Sequence, residues 1–471
     1  MPAVKHEIKR EMLSETLRIA LPAIAESLFT AIIGFVDSFM VSSLGANAVA
    51  AIGLTNQPKY AGFTLFYAVN IAIATLVARR NGEKNRSGAN SLALTAIILA
   101  ALLSAAMGGL LALFALPIMK ACGATPETLG PSSAYYRIVM GCMLFSCIQM
   151  VVNAAQRGAG NTKITMRTNM AANIVNIVFD YLLIGGRFGF PALGIRGAAI
   201  ATVIGTAVGC LISIGSILKK DGFLSIPFIR MEKIRPNRKD LTTIIHIGYP
   251  VAIEQILTRV GLVATSILAA ACGNNAMAAH QVAMNILVIS YAFGDGLQAA
   301  SVALVGRSLG ENRPEAAKEY GKVCRNYGLV ISAVLAVLLI SGARWLYSLF
   351  FREEEIIAVG LRLTPALILT AVFQILMVVY IGCLRGAGDI RYTTKVAIFS
   401  VVIVRTAVSF FSAMCCTLAF SGSGSALWRI SFSAASSACC ASAPESGPRS
   451  KFRTAWANRV ASYREMFRNR C

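Results

Sequence analysis

Apolar residues run through this chain in blocks of about 20 or more, the length a helix needs to cross the hydrocarbon core of a bilayer. The blocks fall near 14–40, 48–78, 91–117, 134–156, 164–185, 193–218, 241–271, 276–307, 327–350, 357–384 and 393–418. Backbone polar groups cannot be left unpaired in lipid, and the period-2 alternation of barrel strands is missing, so each block is predicted to be a helix. The first block runs past the length of a cleavable leader and reads as a spanning helix. Polar residues inside the blocks are few and recur at helical spacing. Glu26, Thr30 and Asp37 share a face of the first helix; Gln149, Asn153 and Gln156 share one of the fourth. Asn169, Asn173, Asn176 and Asp180 step i, i+4, i+7 and i+11 along the fifth.

The strongest signal is an internal repeat. At a shift of 228 the two halves align without a gap. Pro22 and Glu26 fall on Pro250 and Glu254, Gly82-Glu83 on Gly310-Glu311, and Arg157-Gly-Ala-Gly160 on Arg385-Gly-Ala-Gly388. The predicted fold is an all-α polytopic membrane protein: two homologous bundles of about six transmembrane helices. An even number of helices in each bundle makes the repeat parallel, about an axis along the membrane normal. The expected boundaries are 1–218 for the N-terminal lobe, 219–240 for a basic cytoplasmic linker and 241–420 for the C-terminal lobe.

The slot for a twelfth helix, 421–446, departs from the pattern. It opens Ser-Gly-Ser-Gly-Ser, carries Arg429 and is rich in Ser, Ala and Cys; a basic tail follows to 471. The change is abrupt enough to suggest a shifted reading frame near 420. Resequencing that restores an apolar 421–446 would confirm the shift, and a verified frame would dismiss it.

Charge fits this topology. There are 44 Lys and Arg against 22 Asp and Glu, a formal charge of +22, yet charged residues are only 14% of the chain and hydrophobic ones 56%. A soluble domain carries about 25% charged residues, so a soluble enzyme is excluded. Basic clusters sit in alternate connections, at Arg79/Arg80/Lys84/Arg86, Arg157/Lys163/Arg167, 219–239, Arg307 to Arg325 and Arg385/Arg391/Lys395. The positive-inside rule then places the N-terminus in the cytoplasm and the chain in the cell membrane. Topology thus accounts for most of the charge without nucleic acid, and the lipid bilayer is the expected large partner of a monomer. The twelve cysteines show no metal or redox spacing, and three histidines are too few for a metal centre. No phosphate loop, nucleophile elbow or zinc-protease motif is present, so neither an enzyme nor an ATP-driven pump is expected, and no cofactor.

The repeat breaks where the chemistry concentrates. The counterparts of Asn169, Asn173, Asn176 and Asp180 are Ala397, Val401, Val404 and Val408; Asp37 becomes Thr265. A carboxylate at membrane depth costs about 2.5–3.5 kcal/mol on insertion scales and marks function by default. Asp37 and Asp180, set among amides, can load a proton or hold Na⁺ through oxygen ligands; amides such as Gln149 and Asn169 can also simply glue helices together. In the second half Glu254 is the main acid, with Gln255 beside it and Arg259 at a spacing poor for pairing within one helix. Asp295 lies between two glycines. His280 and Gln281 replace Ile52 and Gly53. Glu26, Gln149, Asn173, His280 and Gln281 are candidate cleft-lining residues.

Leu21-Pro22 followed by Asp37, the Arg157-Gly-Ala-Gly160 segment with its echo at 385–388, and the Asn176/Asp180 pair together resemble the MATE (multidrug and toxic compound extrusion) family over about residues 10–420. The resemblance implies two six-helix lobes in a V around a central cleft, and export of cationic or amphipathic compounds in exchange for H⁺ or Na⁺. It implies a cation site in the N-terminal lobe at Asp37, Asn153, Asn176 and Asp180. Some members use a second site with a Glu on the seventh helix and an Asp on the tenth. Glu254 matches the first, with Gln255 and Asp295 as further contacts, but 357–384 contains no acid, which favours the N-terminal lobe. A flippase for a lipid-linked or polysaccharide intermediate is the alternative, since Arg259 and Arg405 place cations at membrane depth.

Overall fold

The computed structural model describes residues 2–397 except 221, 272–273 and 351–353, together with Phe399. The slot at 421–446, with its proposed frame shift, lies outside the described residues. Among those described there is no strand. The first half contains α1 (Pro2–Ser42), α2 (Ala46–Gly82), α3 (Arg86–Leu113), α4 (Ala115–Ala121), α5 (Pro126–Gly141), α6 (Met143–Gly158), α7 (Thr162–Gly185) and α8 (Ile195–Ile217). After α9 (Ile226–Met231), the second half contains α10 (Arg238–Ala271), α11 (Asn274–Gly310), α12 (Pro314–Phe350), α13 (Glu354–Gly386) and α14 (Ile390–Ala397). Among the described residues, seven helices are long and apolar enough to cross a membrane.

The expected fourth span is two helices, α5 and α6, bent by 48° at their junction. Counted as one span, they bring the total to eight. α7 is not among the eight because its polar stripe dilutes an otherwise apolar helix. The same substitutions that give α7 its chemistry therefore lower its hydrophobic signal.

The first helix of each half reaches into the other half. Ile19, Ala20 and Ile24 of α1 are buried with Leu297, Ala300 and Leu304 of α11 and Ile375 and Val379 of α13. Ile244, Ile247, Val251 and Ala252 of α10 are buried in the core formed by α2, α3, α5 and α6. α1 also packs against α7, so it joins the two halves. The segment before α10 is tied to the first half: Arg86 donates to the carbonyls of Lys220 and Gly222, and Asn90 to that of Phe223.

At one end of the bundle α2 meets α11 across the repeat. A Cβ added at Gly82 would collide with the Arg307 carbonyl oxygen, and one at Gly310 with that of Arg79. These two glycines are related by the offset of 228, so the absence of a side chain at both is what lets the helix ends touch. Salt bridges surround the contact: Arg79 and Arg80 with Glu83, Arg307 with Glu15 and Glu311.

Candidate functional site: a two-tiered polar seam between α1 and α7

α1 and α7 lie side by side in a constant register. Asn169 donates to Glu26, Asn173 Nδ2 reaches Thr30 Oγ1 at 3.4 Å, and Asp180 faces Asp37. In each pair the residue numbers differ by 143. Both helices therefore carry their polar stripes on the faces they turn to each other. The end pairs are 11 residues apart on both helices, about 16 Å at 1.5 Å per residue.

The outer tier joins Asp37, Asn176 and Asp180. Asn176 Nδ2 donates to Asp180 Oδ2 at 2.9 Å. Asp37 and Asp180 act directly on each other, yet Asp37 Oδ1 and Asp180 Oδ1 are both buried without a hydrogen-bond partner. Asp180 is only 3% exposed. Two carboxylates that face each other repel unless a positive charge lies close. The half-buried ammonium of Lys59 on α2 supplies one such charge. Two ionised carboxyls and one ammonium still leave one negative charge, which a proton or a sodium ion would balance. Tyr135 of α5 is buried beside the pair and near Thr202 of α8. α8 comes close because Gly205 has no side chain: a Cβ there would sit 2.6 Å from the Ala172 carbonyl oxygen and 2.9 Å from Asn176 Cβ.

The inner tier is a hydrogen-bonded network. Glu26 Oε1 accepts from Asn169 and lies 3.3 Å from Arg157 Nη1. Asn169 Oδ1 accepts from Gln149 Nε2 at 2.7 Å and from Asn153 Nδ2 at 3.4 Å. Asn153 Oδ1 in turn accepts from Ser213 at 3.1 Å, and Gln156 donates to Ser216 at 3.1 Å. Asn153 therefore sits with Asn169, seven residues or about 10 Å along α7 from Asn176, and not beside Asp37.

The repeat recurs as an ion pair. Arg385 Nη2 meets Glu254 Oε1 at 2.8 Å with both side chains 7% exposed. This is the offset copy of Arg157 with Glu26. Arg259 does not pair with Glu254; its guanidinium lies 4.5 Å over the ring of Tyr60, across the two halves. Gln255 is half-buried at the start of that same stretch of α10. Asp295 accepts from Ser27 of α1 at 3.2 Å and so faces the first half. Its neighbour Gly296 packs directly on Ile24 of α1. His280 and Gln281 lie on α11, but their side chains are outside the described residues. No cluster of three metal-binding side chains occurs among the described residues.

Sequence reasoning missed Lys59 and the pairing of Arg157 with Glu26. The signal for Lys59 was a single cation inside the apolar block 48–78. That for the pair was two repeat-matched residues of opposite charge, one in α1 and one in the last turn of α6.

Comparison with known proteins fits the same architecture. The MatE family profile matches residues 22–182 and again 250–411. The two matches start 228 residues apart, the offset at which the sequence repeats. The chain belongs to the MatE family. Relatives of this MatE protein include a probable multidrug resistance protein NorM from Thermotoga maritima, 26% identical over 403 residues and covering 85% of each chain. The multidrug resistance protein PmpM from Pseudomonas aeruginosa is 26% identical and covers 83% of this chain and 82% of its own. Among solved structures, the outward-facing conformation of a multidrug resistance MATE family transporter superposes with a TM-score of 0.83 at 19% identity, covering 91% of this chain and 93% of that one. That last likeness speaks for the fold. Family, fold and apolar helices together make this chain a multi-span protein of a membrane transporter family.

Proposed function

We propose that this protein is a secondary antiporter. It exports cationic or amphipathic compounds in exchange for H⁺ or Na⁺. The observation that carries this reading is the facing of Asp37 and Asp180, with two buried, unpartnered carboxyl oxygens and one negative charge left over after Lys59. A hard monovalent cation suits an all-oxygen setting with an adjacent amide. Membership of the MatE family and the multidrug resistance relatives support the cargo class. The orientation we propose puts the N-terminus in the cytoplasm and the protein in the cell membrane, on the alternation of basic connections. The 219–240 segment then serves as a cytoplasmic linker between lobes.

Coupling follows from differential binding. The protein moves between a form open to each side, and a cation held at Asp37/Asp180 favours one form only as far as it binds that form more tightly. α1 carries half of the cation site and also packs into the second half, so a change at Asp37 is transmitted to the contact between halves. A flippase would need an unpaired cation in the cleft for an anionic head group; the guanidinium of Arg259 stacks on Tyr60, and Arg405 lies outside the described residues.

The test is ethidium export from vesicles reconstituted with the whole chain, with pH and Na⁺ gradients imposed separately. Export accelerated by one gradient supports antiport and names the ion. Export at the same rate with and without both gradients contradicts it.

A further inference from the structure

The outer pair accounts for one end of the α1–α7 seam, but the other end holds a buried acid with no role in that reading. Glu26 is 7% exposed. Its Oε1 is shared by Asn169 and Arg157, while its Oε2 is buried with no hydrogen-bond partner. Arg157 stands at 3.3 Å and keeps 28% of its side chain exposed, so it holds the carboxylate loosely and stays in reach of water. The charged groups acting on Glu26 are Arg157 of α6 and Asp295 of α11; α7 presents Asn169 and Thr165.

The contrast within the molecule is informative. The repeat copy, Glu254 with Arg385, is closed at 2.8 Å and buried on both sides. Glu254 Oε2 is also unpartnered, but the amide beside Glu26 has become Ala397. No second acid lies 11 residues on, since Asp37 has become Thr265 and Asp180 has become Val408. A structural ion pair needs only the Glu and the Arg, and the second half has both. The first half adds amides at 169 and 173 and two acids at the far end, in one register with a hydroxyl that both halves keep, as Thr30 and Thr258. Each added group can accept or donate a hydrogen bond, and together they leave no purely apolar turn between the two ends of the seam.

We propose that Glu26 is a second, inner station for the coupling cation, joined to Asp37 and Asp180 by the in-register seam of α1 and α7. The ligand is a small monovalent cation, H⁺ or Na⁺. At Glu26 Oε2 it competes with Arg157 for the carboxylate, and its arrival loosens α1 from the C-terminal end of α6. Ser27, the next residue on α1, is bonded to Asp295 of α11, so the loosening is felt where the halves meet. The inference rests on the antiport reading, since a station serves a cation only if one is moved.

The experiment uses vesicles reconstituted with the whole chain, loaded with pyranine to follow H⁺ in one arm and supplied with ²²Na⁺ in the other. Wild type, Glu26→Gln and Asn173→Leu are compared by cation moved per ethidium exported and by cation-dependent change in ethidium binding. Both variants are expected to lower the cation moved per ethidium exported at least tenfold and to keep only the part of the binding response that belongs to the outer pair. If Glu26→Gln does not fold, Asn173→Leu decides alone, because it breaks the seam without touching either acid. Wild-type cation movement in a folded variant overturns the proposal. So does a variant that slows export while keeping the wild-type ratio of cation to ethidium, the outcome of a purely structural role. Absence of cation movement in wild type is a different failure, of the antiport reading itself.

Discussion

At the outer tier the ammonium of Lys59 acts on Asp37, which faces Asp180, so the charge of Lys59 controls how strongly a further cation is drawn to the pair. Removing it adds a full unit of negative charge to a partly buried pair. Lys59→Met is expected to lower the half-saturating concentration of the coupling ion about tenfold, the scale of a Coulomb interaction over several ångströms at an effective dielectric near 20. Ion titration of ethidium export measures this, and an unchanged or raised concentration would count against the arrangement. The repeat ion pair behaves differently. Arg385→Met leaves Glu254 charged and buried, and is expected to cost about 3–5 kcal/mol in stability. Thermal unfolding in detergent would show it, with Glu254→Gln added to Arg385→Met recovering most of the loss. Asn176 and Asp180 were legible on one face of α7, and Asp37 on a face of α1, because acids and amides are costly inside an apolar block; that the two faces make one site was implied by the family resemblance. The depth of Asn153 was not legible: spacing along one helix does not say which turn of a neighbouring helix it meets.

At the scale of elements, the seam needs its helices close. Gly205 sets the approach of α8 to α7 at the level of Asn176. Gly205→Val is expected to force these helices apart, at about 1–3 kcal/mol for overpacking, and to reduce export through the displaced Asn176. Gly109 offers the control, since a Cβ there meets nothing within 4 Å. Gly109→Val should leave melting temperature and export near wild type, and equal effects from the two substitutions would contradict this role of Gly205. Among the described residues, helix positions were readable from apolar block length almost throughout. The break between α5 and α6 was not, because Gly141 and Cys142 sit in a block that stays apolar across the bend. A bend of 48° within a continuous apolar run leaves no mark on hydrophobicity.

At the scale of the molecule, the repeat offset of 228 recurs in the sequence, in the two family matches, in the Gly82–Gly310 contact and in the paired Glu and Arg of each half. The reach of α1 and α10 into the opposite half could not be read from the chain, since both carry the same apolar pattern whichever half they pack against. It matters because α1 bears Glu26 and Asp37 and is also buried against α11 and α13. A cation bound in one half thereby acts on the contact between halves, which is what exchange of cation for cargo requires. The most direct measurement is gradient-driven ethidium export by wild type and Asp180→Asn, reconstituted in matched amounts. The variant is expected to insert and to bind ethidium, while a cation gradient no longer accelerates its export. Acceleration equal to wild type in Asp180→Asn would contradict the assignment of the cation to this seam.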